Sequence, residues 1–295
     1  MEDEFPKKIL VPVDGSDTSH LAGETARIIA KKSGATVTVL HIIRAVDEYY
    51  RILYAAQGLS YDVPRNIIVE ILKHTEQEAE KIVNDVKAFF LEEGITVDTK
   101  ILKDIDPADS IAEFSKRDYD IIVMGARGKN EKEPFALGSV TKKVIRHTMC
   151  PILFTKTACN LSHLLVCVDG SQHSIKALNY SIKLAEKISS KITLLNVQER
   201  RLHTLSLKTA QELGERIFFK ASGEIEKRGF QLEKRVEFGV ASKTIVEVAE
   251  NDNYDLIVLG RRGLGTAKRF LIGSVSEDVS HKAKCSVLIY PVKYE

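Results

Sequence analysis

Short apolar runs rich in Val, Ile and Leu alternate with longer segments of helical periodicity along the chain. The runs predict strands at residues 7–13, 36–43, 97–102, 120–125 and 151–156 in the first half, and at 163–168, 192–197, 231–238, 255–260 and 286–291 in the second. Between them, apolar residues recur at the 3.6-residue spacing of a helix with one buried face. Two such stripes are formed by Ala79, Ile82, Val83, Val86, Phe89 and Phe90, and by Ile175, Leu178, Ile182 and Ala185. This alternation predicts an α/β fold in which helices cover both faces of a parallel sheet.

The chain contains the same pattern twice. The run ILVPVDGS at residues 9–16 recurs as LLVCVDGS at 164–171, and IIVMGARG at 121–128 recurs as LIVLGRRG at 256–263. The first pair of motifs lies 155 residues apart and the second pair 135, so the first copy has 20 more residues between its motifs. We expect two tandem domains, at residues 1–157 and 161–295, which a short tether holds side by side.

The extra residues of the first copy are expected near residues 48–67, a segment that holds Tyr49, Tyr50, Tyr54 and Tyr61. Three interpretations remain open for this insertion: a lid over a site in the first copy, a contact between chains, or an elaborated surface loop.

Each copy follows its fourth predicted strand with a loop of spaced glycines. The formula G-x2-G-x9-G-S is met by Gly125, Gly128, Gly138 and Ser139, and again by Gly260, Gly263, Gly273 and Ser274. Glycine lets the backbone approach a ligand closely and tolerates positive φ. The Gly-Ser pair precedes a helical pattern, whose first N–H groups lack partners within the helix. Together these features predict an anion site that suits phosphate groups.

A structural interpretation of the same glycines competes with this one, because a tight turn from strand to helix needs glycine for its geometry alone. The repetition of the whole spacing and the nearby cations Arg262, Lys268 and Arg269 favour the phosphate site.

One aspartate follows the first strand of each copy, at Asp14 and Asp169. A carboxylate at this position accepts hydrogen bonds from ribose hydroxyls in other nucleotide folds. The alternative is that the aspartate caps the helix that follows. If strands one and four are neighbours, Asp14 and Gly125 share one crevice, with ribose at the aspartate, phosphates at the glycines and a base over strand two.

These residues resemble the universal stress protein family, in its tandem two-domain, nucleotide-binding form. The resemblance covers essentially the whole chain and rests on the two glycine motifs and the VDGS aspartates. It implies two doubly wound domains, each a five-stranded parallel sheet of strand order 3-2-1-4-5. It also implies binding of an adenine nucleotide, ATP or AMP, with Mg²⁺ where ATP is bound. Units of the family pair through their last strands, so the strands near 151–156 and 286–291 are expected to form an intramolecular pseudo-dimer, which a second chain extends to a homodimer.

The resemblance also assigns residues to the two sites. Arg127 and Arg262, two places after the first glycine of each motif, are implied to face the phosphates, and Ile42 and Val197 on strand two the adenine. With the residues that flank the motifs, the candidate cofactor-binding set is Pro12, Val13, Asp14, Ile42, Met124, Gly125, Arg127, Gly128, Gly138, Ser139, Val140 and Thr141 in the first copy, and Val168, Asp169, Val197, Leu259, Gly260, Arg262, Gly263, Gly273, Ser274, Val275 and Ser276 in the second.

The two copies match the family pattern unequally. The first places Glu131, Glu133 and Pro134 within the nine-residue spacer, and carboxylates near a polyphosphate repel it unless they point outward. We expect both sites to bind nucleotide and rank the carboxy-terminal one first.

Charge and cysteine content narrow the partners and the compartment. Lys and Arg number 43 against 41 Asp and Glu, which leaves no global field to attract nucleic acid or a membrane surface. The start MEDEFPKKIL lacks the basic and apolar regions of a signal peptide, and no apolar run reaches the roughly 18 to 20 residues of a membrane span. The cysteines Cys150, Cys159, Cys167 and Cys285 form no CxxC pair, which favours free thiols in the cytoplasm.

Motifs for catalysis are missing from the sequence. It has no GxxxxGK[ST], SGGxD[ST] or HxGH motif, and His41 and His147 are replaced by Asn196 and Lys282 in the second copy. We therefore assign no catalytic or metal-binding residue, and favour a non-catalytic nucleotide-binding regulatory or stress-response protein. Two alternatives remain: a slow ATPase or self-phosphorylating protein with Ser139 or Ser274 as acceptor, and a nucleotide-free interaction scaffold.

Overall fold

The computed structural model describes residues 5–44, 65–129, 133, 136–198, 207–226, 232–263 and 272–291. Its strands are β1 (Lys8–Pro12), β2 (Thr36–Arg44), β3 (Val97–Asp104), β4 (Ile121–Gly125), β5 (Ile152–Thr155), β6 (His163–Cys167), β7 (Lys191–Gln198), β8 (Glu233–Phe238), β9 (Leu256–Gly260) and β10 (Ser286–Tyr290). Its helices are α1 (Asp17–Ser33), α2 (Arg65–Leu91), α3 (Pro107–Phe114), α4 (Ser139–His147), α5 (Gln172–Ile188), α6 (Leu207–Glu226), α7 (Ala241–Asn251) and α8 (Ser274–Lys282). Of the predicted insertion, residues 48–64 lie outside the described part of the chain, and residues 65–67 begin α2.

All ten of these strands form one sheet, in the order β3-β2-β1-β4-β5-β10-β9-β6-β7-β8. Within each half the pairs are parallel; for example, Ile9 of β1 lies opposite Val37 of β2 and Ile121 of β4. Each half therefore has the strand order 3-2-1-4-5, which confirms the predicted fold.

The two halves join through their last strands. Residues 152–154 of β5 pair antiparallel with residues 287–289 of β10, with Leu153 opposite Leu288. This pairing is the predicted one. Because it is antiparallel, the strands of the two halves run in opposite directions, and their carboxyl ends lie at opposite edges of the sheet.

Apolar side chains are buried on both faces of this sheet. Successive residues of β1, Ile9, Leu10 and Val11, are fully buried, as expected for a parallel strand between two helical layers. Helices α1, α2, α5 and α6 cover one face, and α3, α4, α7 and α8 cover the other. Each face carries one apolar cluster with residues from both halves, so the core continues across the junction.

Two buried cations cross this junction. Arg261, 2% exposed, donates from Nη1 to the carbonyl oxygen of Thr148 at 2.9 Å, where α4 ends. Lys156, 5% exposed, donates from Nζ to the carbonyl oxygen of Ala283 at 2.7 Å, where α8 ends. The carbonyls at a helix carboxyl end carry partial negative charge and favour a cation. Each half thus supplies a cation to the end of a helix in the other half.

Among the described residues, no helix is both long enough and apolar enough to cross a membrane.

The buried lysine gives the stability of the chain a distinctive pH dependence. Burial lowers the pKa of Lys156 to about 8, whereas a lysine in an unfolded chain has a pKa near 10.4. Between these values the unfolded chain binds more protons at this position, so the free energy of unfolding rises with pH. We expect urea unfolding from pH 8 to pH 10.4 to show the native chain gaining stability relative to Lys156→Met. Parallel pH profiles for the two proteins would contradict this.

Candidate functional site

A cleft of about 380 Å³ opens at the carboxyl ends of β1, β2 and β4. All twelve candidate residues of the first copy line it: Pro12, Val13, Asp14, Ile42, Met124, Gly125, Arg127, Gly128, Gly138, Ser139, Val140 and Thr141. Six further lining residues were not predicted from the sequence: Ser19, Leu40, Arg44, Pro107, Ile111 and Lys129. Arg44 is the last residue of β2, and Pro107 begins α3, which follows β3. Both lie at the carboxyl ends of neighbouring strands, and this position in the predicted sheet could have identified them.

One wall of the cleft is apolar. Leu40 of β2, Ile111 of α3 and Met124 of β4 belong to a single buried cluster, and the half-buried Ile42 and Val140 pack against it. An apolar wall of this kind suits a flat aromatic ring, because contact removes apolar surface from water.

The start of α4 forms a polar part of the cleft. Its N-cap, Gly138, has no side chain to cap the helix, and the neighbouring Ser139 is exposed. The N–H of Gly138 donates to the carbonyl oxygen of Ala126 at 2.8 Å, and Thr141 Oγ1 donates to that of Gly125 at 3.0 Å. These two bonds hold the helix start against the glycine loop. The first N–H groups of the helix then present the partial positive charge that binds anions.

Asp14 links the two loops that border the cleft. Its Oδ1 accepts the N–H of Ser16 at 3.0 Å and its Oδ2 accepts the N–H of Lys129 at 3.3 Å. The cap of α1 is Ser16, whose Oγ accepts the N–H of Ser19 at 3.2 Å. The alternative in which the aspartate itself caps the helix is therefore wrong, and the half-buried carboxylate faces the cleft instead.

The first glycine of each motif allows close packing inside the protein. A Cβ on Gly125 would lie 2.8 Å from the backbone nitrogen of Ser19, and one on Gly260 would lie 3.1 Å from that of Ser174. Both nitrogens belong to the first turn of a helix, α1 or α5. A side chain at Gly125 would meet Thr18 Oγ1 at 2.6 Å as well as this backbone, and one at Gly260 would meet the backbone of His173 at 3.0 Å, which supports the structural interpretation for these two positions.

The second glycine of each motif makes room for the aspartate. A Cβ on Gly128 would lie 2.8 Å from Asp14 Oδ2, and one on Gly263 would lie 2.5 Å from Asp169 Oδ2. The motif glycines do not use the positive φ that glycine tolerates, whereas Gly15 of the VDGS loop does, with φ of 73°. A larger residue at Gly128 would therefore displace the carboxylate of Asp14.

Two cations line the loop side of the cleft. Arg127 Nη1 donates to the carbonyl oxygen of Glu133 at 2.8 Å. Lys129 Nζ lies 3.0 Å from Glu78 Oε1 of α2, and this hydrogen bond holds the pKa of Glu78 below its usual value. Glu133 is exposed, as expected for a carboxylate that points away from a phosphate site. Glu131 and Pro134, the other two residues noted in the nine-residue spacer of the first motif, lie outside the described residues.

Histidine and asparagine replace each other in one structural role. His41 Nδ1 lies 2.7 Å from the carbonyl oxygen of Val13, and Asn196 Nδ2 donates to that of Val168 at the same distance. Both side chains hold the carbonyl that follows the first strand of their half. The replacement therefore preserves one hydrogen bond, and His41 needs no catalytic role to explain it.

The thiols of the described part of the chain are buried or half-buried. Its four cysteines are free, and burial raises the pKa of Cys159 to about 12 and that of Cys285 to about 11, so these thiols stay protonated at neutral pH. Across the described ranges, no group of three or more His, Cys, Asp or Glu side chains is placed to hold a metal ion.

The candidates of the second copy lie at matching places. Val168 and Asp169 follow β6, Val197 lies on β7, Leu259 and Gly260 end β9, Arg262 and Gly263 follow it, and Gly273, Ser274, Val275 and Ser276 start α8. The N–H of Gly273 donates to the carbonyl oxygen of Arg261 at 2.8 Å, and Ser276 Oγ donates to that of Gly260 at 2.8 Å. Arg262 is 3% exposed, whereas Arg127 is half-buried. Residues 264–271, with Lys268 and Arg269, lie outside the described residues, so the ranking of the two sites stays a prediction.

Comparison with known proteins gives a consistent result. The model of the universal stress protein family matches the chain twice, over residues 6–156 and 160–291. A universal stress protein of Synechocystis is 27% identical over 301 residues, covering 96% of this chain and 99% of that protein. One from Methanocaldococcus jannaschii is 38% identical over 151 residues, covering 51% of this chain and 82% of that protein. The crystal structure of a universal stress protein from Archaeoglobus fulgidus has a TM-score of 0.72 at 22% identity, covering 96% of this chain and 97% of that chain, and shares the fold.

The packing of Gly125 predicts a loss of stability that needs no ligand. We expect Gly125→Ala to lower the free energy of unfolding by about 1–3 kcal/mol, because its Cβ would overlap the backbone of Ser19. Gly23→Ala in α1 is the matched control: its Cβ would meet nothing closer than 3.8 Å, so alanine should be neutral or stabilising there. Urea unfolding without nucleotide measures both. Equal stability of the two variants would disprove the packing role.

Proposed function

Because the chain belongs to the universal stress protein family, we propose that it binds an adenine nucleotide, ATP or AMP, in each domain. It acts as a non-catalytic regulatory or stress-response protein. Four free cysteines are consistent with its acting in the cytoplasm.

The observation that carries this proposal is the convergence of all twelve first-copy candidates on one cleft. They come from four separate stretches of sequence, around Asp14, Ile42, Gly125 and Gly138, and were selected from motif spacing and family resemblance. The volume of about 380 Å³ falls within the usual range of small-molecule sites, roughly 300–1,000 Å³.

The distribution of groups in the cleft supports a particular orientation of the nucleotide. The base would lie against Leu40, Ile42 and Met124, and the ribose hydroxyls would donate to Asp14. The phosphates would meet the first N–H groups of α4 and the charge of Arg127. Mg²⁺ would be held mainly through the phosphates of ATP, because the described lining residues supply a single carboxylate.

The same inventory favours binding over catalysis. Among the described lining residues, Asp14 is the one acidic side chain and no histidine is present. Both oxygens of Asp14 already accept backbone N–H groups. The carboxylate thus holds together the two loops that border the cleft, which is a positioning role and not that of a general base.

A nucleotide retained through purification would identify the ligand. We expect mass spectrometry of the small molecules released on denaturing the full chain to detect an adenine nucleotide, up to one per domain. Finding none, together with no heat of binding on adding ATP or AMP, would leave the interaction scaffold as the function.

A charge placed at the start of α4 tests the phosphate assignment without changing the packing of the glycines. Ser139→Asp adds an anion where the phosphates are proposed to lie, and an acidic residue in a first turn also stabilises a helix. We expect at least tenfold weaker ATP binding at the first site by calorimetry, equal to about 1.4 kcal/mol, with no loss of thermal stability.

Ser139→Asn is the matched control, similar in size but uncharged, and it should bind more tightly than the aspartate variant. Ser274→Asp and Ser274→Asn repeat the pair at the second site, where Ser274 is likewise exposed. Native affinity and stoichiometry in both aspartate variants would refute the phosphate assignment.

A further inference from the structure

We propose that the two nucleotide sites are energetically coupled, because the helix that starts at each site is held at its far end by a buried cation from the other half of the chain. The inference rests on the proposed nucleotide binding and adds to it a direction: an anion bound at one site strengthens binding at the other.

The first connection runs from the first site to the second through α4. This helix starts at Gly138 in the cleft and ends at Thr148, whose carbonyl oxygen accepts Arg261 Nη1 at 2.9 Å. Arg261 stands inside the second glycine loop, between Gly260 and Arg262. Its own carbonyl oxygen accepts the N–H of Gly273, the N-cap of α8. One residue therefore contacts the end of one phosphate-facing helix and the start of the other.

The second connection returns through α8. This helix starts at Gly273 and ends at Ala283, whose carbonyl oxygen accepts Lys156 Nζ at 2.7 Å; the carbonyl oxygen of His281 lies 3.3 Å from the same nitrogen. Lys156 directly follows Thr155, whose carbonyl oxygen accepts the N–H of Ala126 in the first glycine loop at 2.9 Å. The two connections thus link each site to the other, one through α4 and one through α8.

Duplication alone does not explain this arrangement. Thr148 and Ala283 hold equivalent positions in the two copies, 135 residues apart, and each ends its helix. The cations that reach them are not equivalent: Ala126 stands where the second copy has Arg261, and Pro291 stands where the first has Lys156. Two unrelated side chains thus converge on the same backbone position, which points to a requirement for charge there.

Burial makes these contacts sensitive to movement. Arg261 and Lys156 are 2% and 5% exposed, so little water is available to replace a lost carbonyl partner. Loss of a hydrogen-bond partner by a buried cation is costly, and this cost opposes separation of the helix end and the cation. A shift of α4 on phosphate binding would be passed to the second loop through Arg261.

Charge gives the coupling its sign. Arg127 and Lys156 directly follow Ala126 and Thr155, whose backbone groups are hydrogen-bonded at 2.9 Å. Burial is the main cause of the lowered pKa of Lys156, and the positive charge of Arg127 in the first cleft adds to it. A phosphate that neutralises Arg127 would relieve this effect and favour the ammonium at the end of α8. A cation at the carboxyl end of a helix complements its dipole, and the same dipole attracts an anion at the start. Binding at the first site should therefore strengthen binding at the second.

The test asks whether a residue of one half sets the affinity of the site in the other. In a Ser139→Asp chain, which retains the second site, Lys156→Met should weaken ATP binding about fivefold by calorimetry. In a Ser274→Asp chain, which retains the first site, Arg261→Met should have a similar effect. Lys156→Arg keeps the charge and donors and should restore most of the affinity.

The matched control crosses the same junction between the ends of α1 and α5 and contacts neither α4 nor α8. Lys32 Nζ donates to the carbonyl oxygen of Ile188 at the end of α5, and the start of α5 is already capped by Ser171. Lys32→Met should leave both affinities unchanged. ATP affinities within twofold of the parent in both Lys156→Met and Arg261→Met would overturn the coupling while leaving nucleotide binding intact. A native chain that binds no nucleotide would overturn the proposed function and the coupling together.

Hydrogen exchange of the native chain is the second measurement and needs no substitution. Saturating ATP should slow amide exchange in the last turns of α4 and α8, near Thr148 and Ala283, more than in the last turn of α5. Exchange that ATP leaves unchanged at both helix ends would overturn the proposal, even where a variant fails to fold.

Discussion

The hydrogen bonds between β5 and β10 join two half-sheets whose strands run in opposite directions. Their antiparallel sense puts the carboxyl ends of β1 and β4 at one edge of the ten-stranded sheet and those of β6 and β9 at the other. The same pairing sets α4 beside α8 in opposite orientations, and Arg146 in the last turn of α4 lies 2.7 Å from Glu277 in the first turn of α8. Each glycine loop therefore lies near the carboxyl end of the other half's helix, and this proximity lets Lys156 and Arg261 reach their carbonyl partners.

The two glycines after β4 allow close packing against a helix and leave space for a carboxylate. Gly125 packs directly against the first turn of α1, and Gly128 leaves room for the carboxylate of Asp14. Both features bring α1, the carboxylate and the start of α4 into one small volume, which is also what a phosphate and a ribose require. The observed packing and the proposed binding would thus depend on the same close approach. A substitution at either glycine disturbs both, so the exposed Ser139 distinguishes them better than the glycines themselves.

Much of this architecture could be predicted from the sequence, because strands buried on both faces are continuous apolar runs and the repeat shows the pattern twice. The twelve first-copy candidates follow from the motifs after β1 and β4, from the Gly-Ser pair at the start of α4 and, for Ile42, from the family resemblance. Their neighbours Pro107 and Ile111 were missed because α3 reaches the cleft from a part of the chain with no motif. Nothing local marks Arg261 or Lys156 either. Each resembles an ordinary surface cation, and its burial depends on a helix end more than 100 residues away in the sequence.

Several differences between the copies lie beside backbone contacts that both copies share. His41 and Asn196 conserve one hydrogen bond with different chemistry, since the imidazole is able to gain a charge and the amide is not. Lys129 gives the first loop a cation held by Glu78, while the second sequence has Leu264 at that position. The backbone contacts of each loop, Gly138 to Ala126 and Gly273 to Arg261, are the same at 2.8 Å. The fold therefore gives the main chain of both candidate sites the same contact, so that any difference in nucleotide affinity between them would come from their side chains.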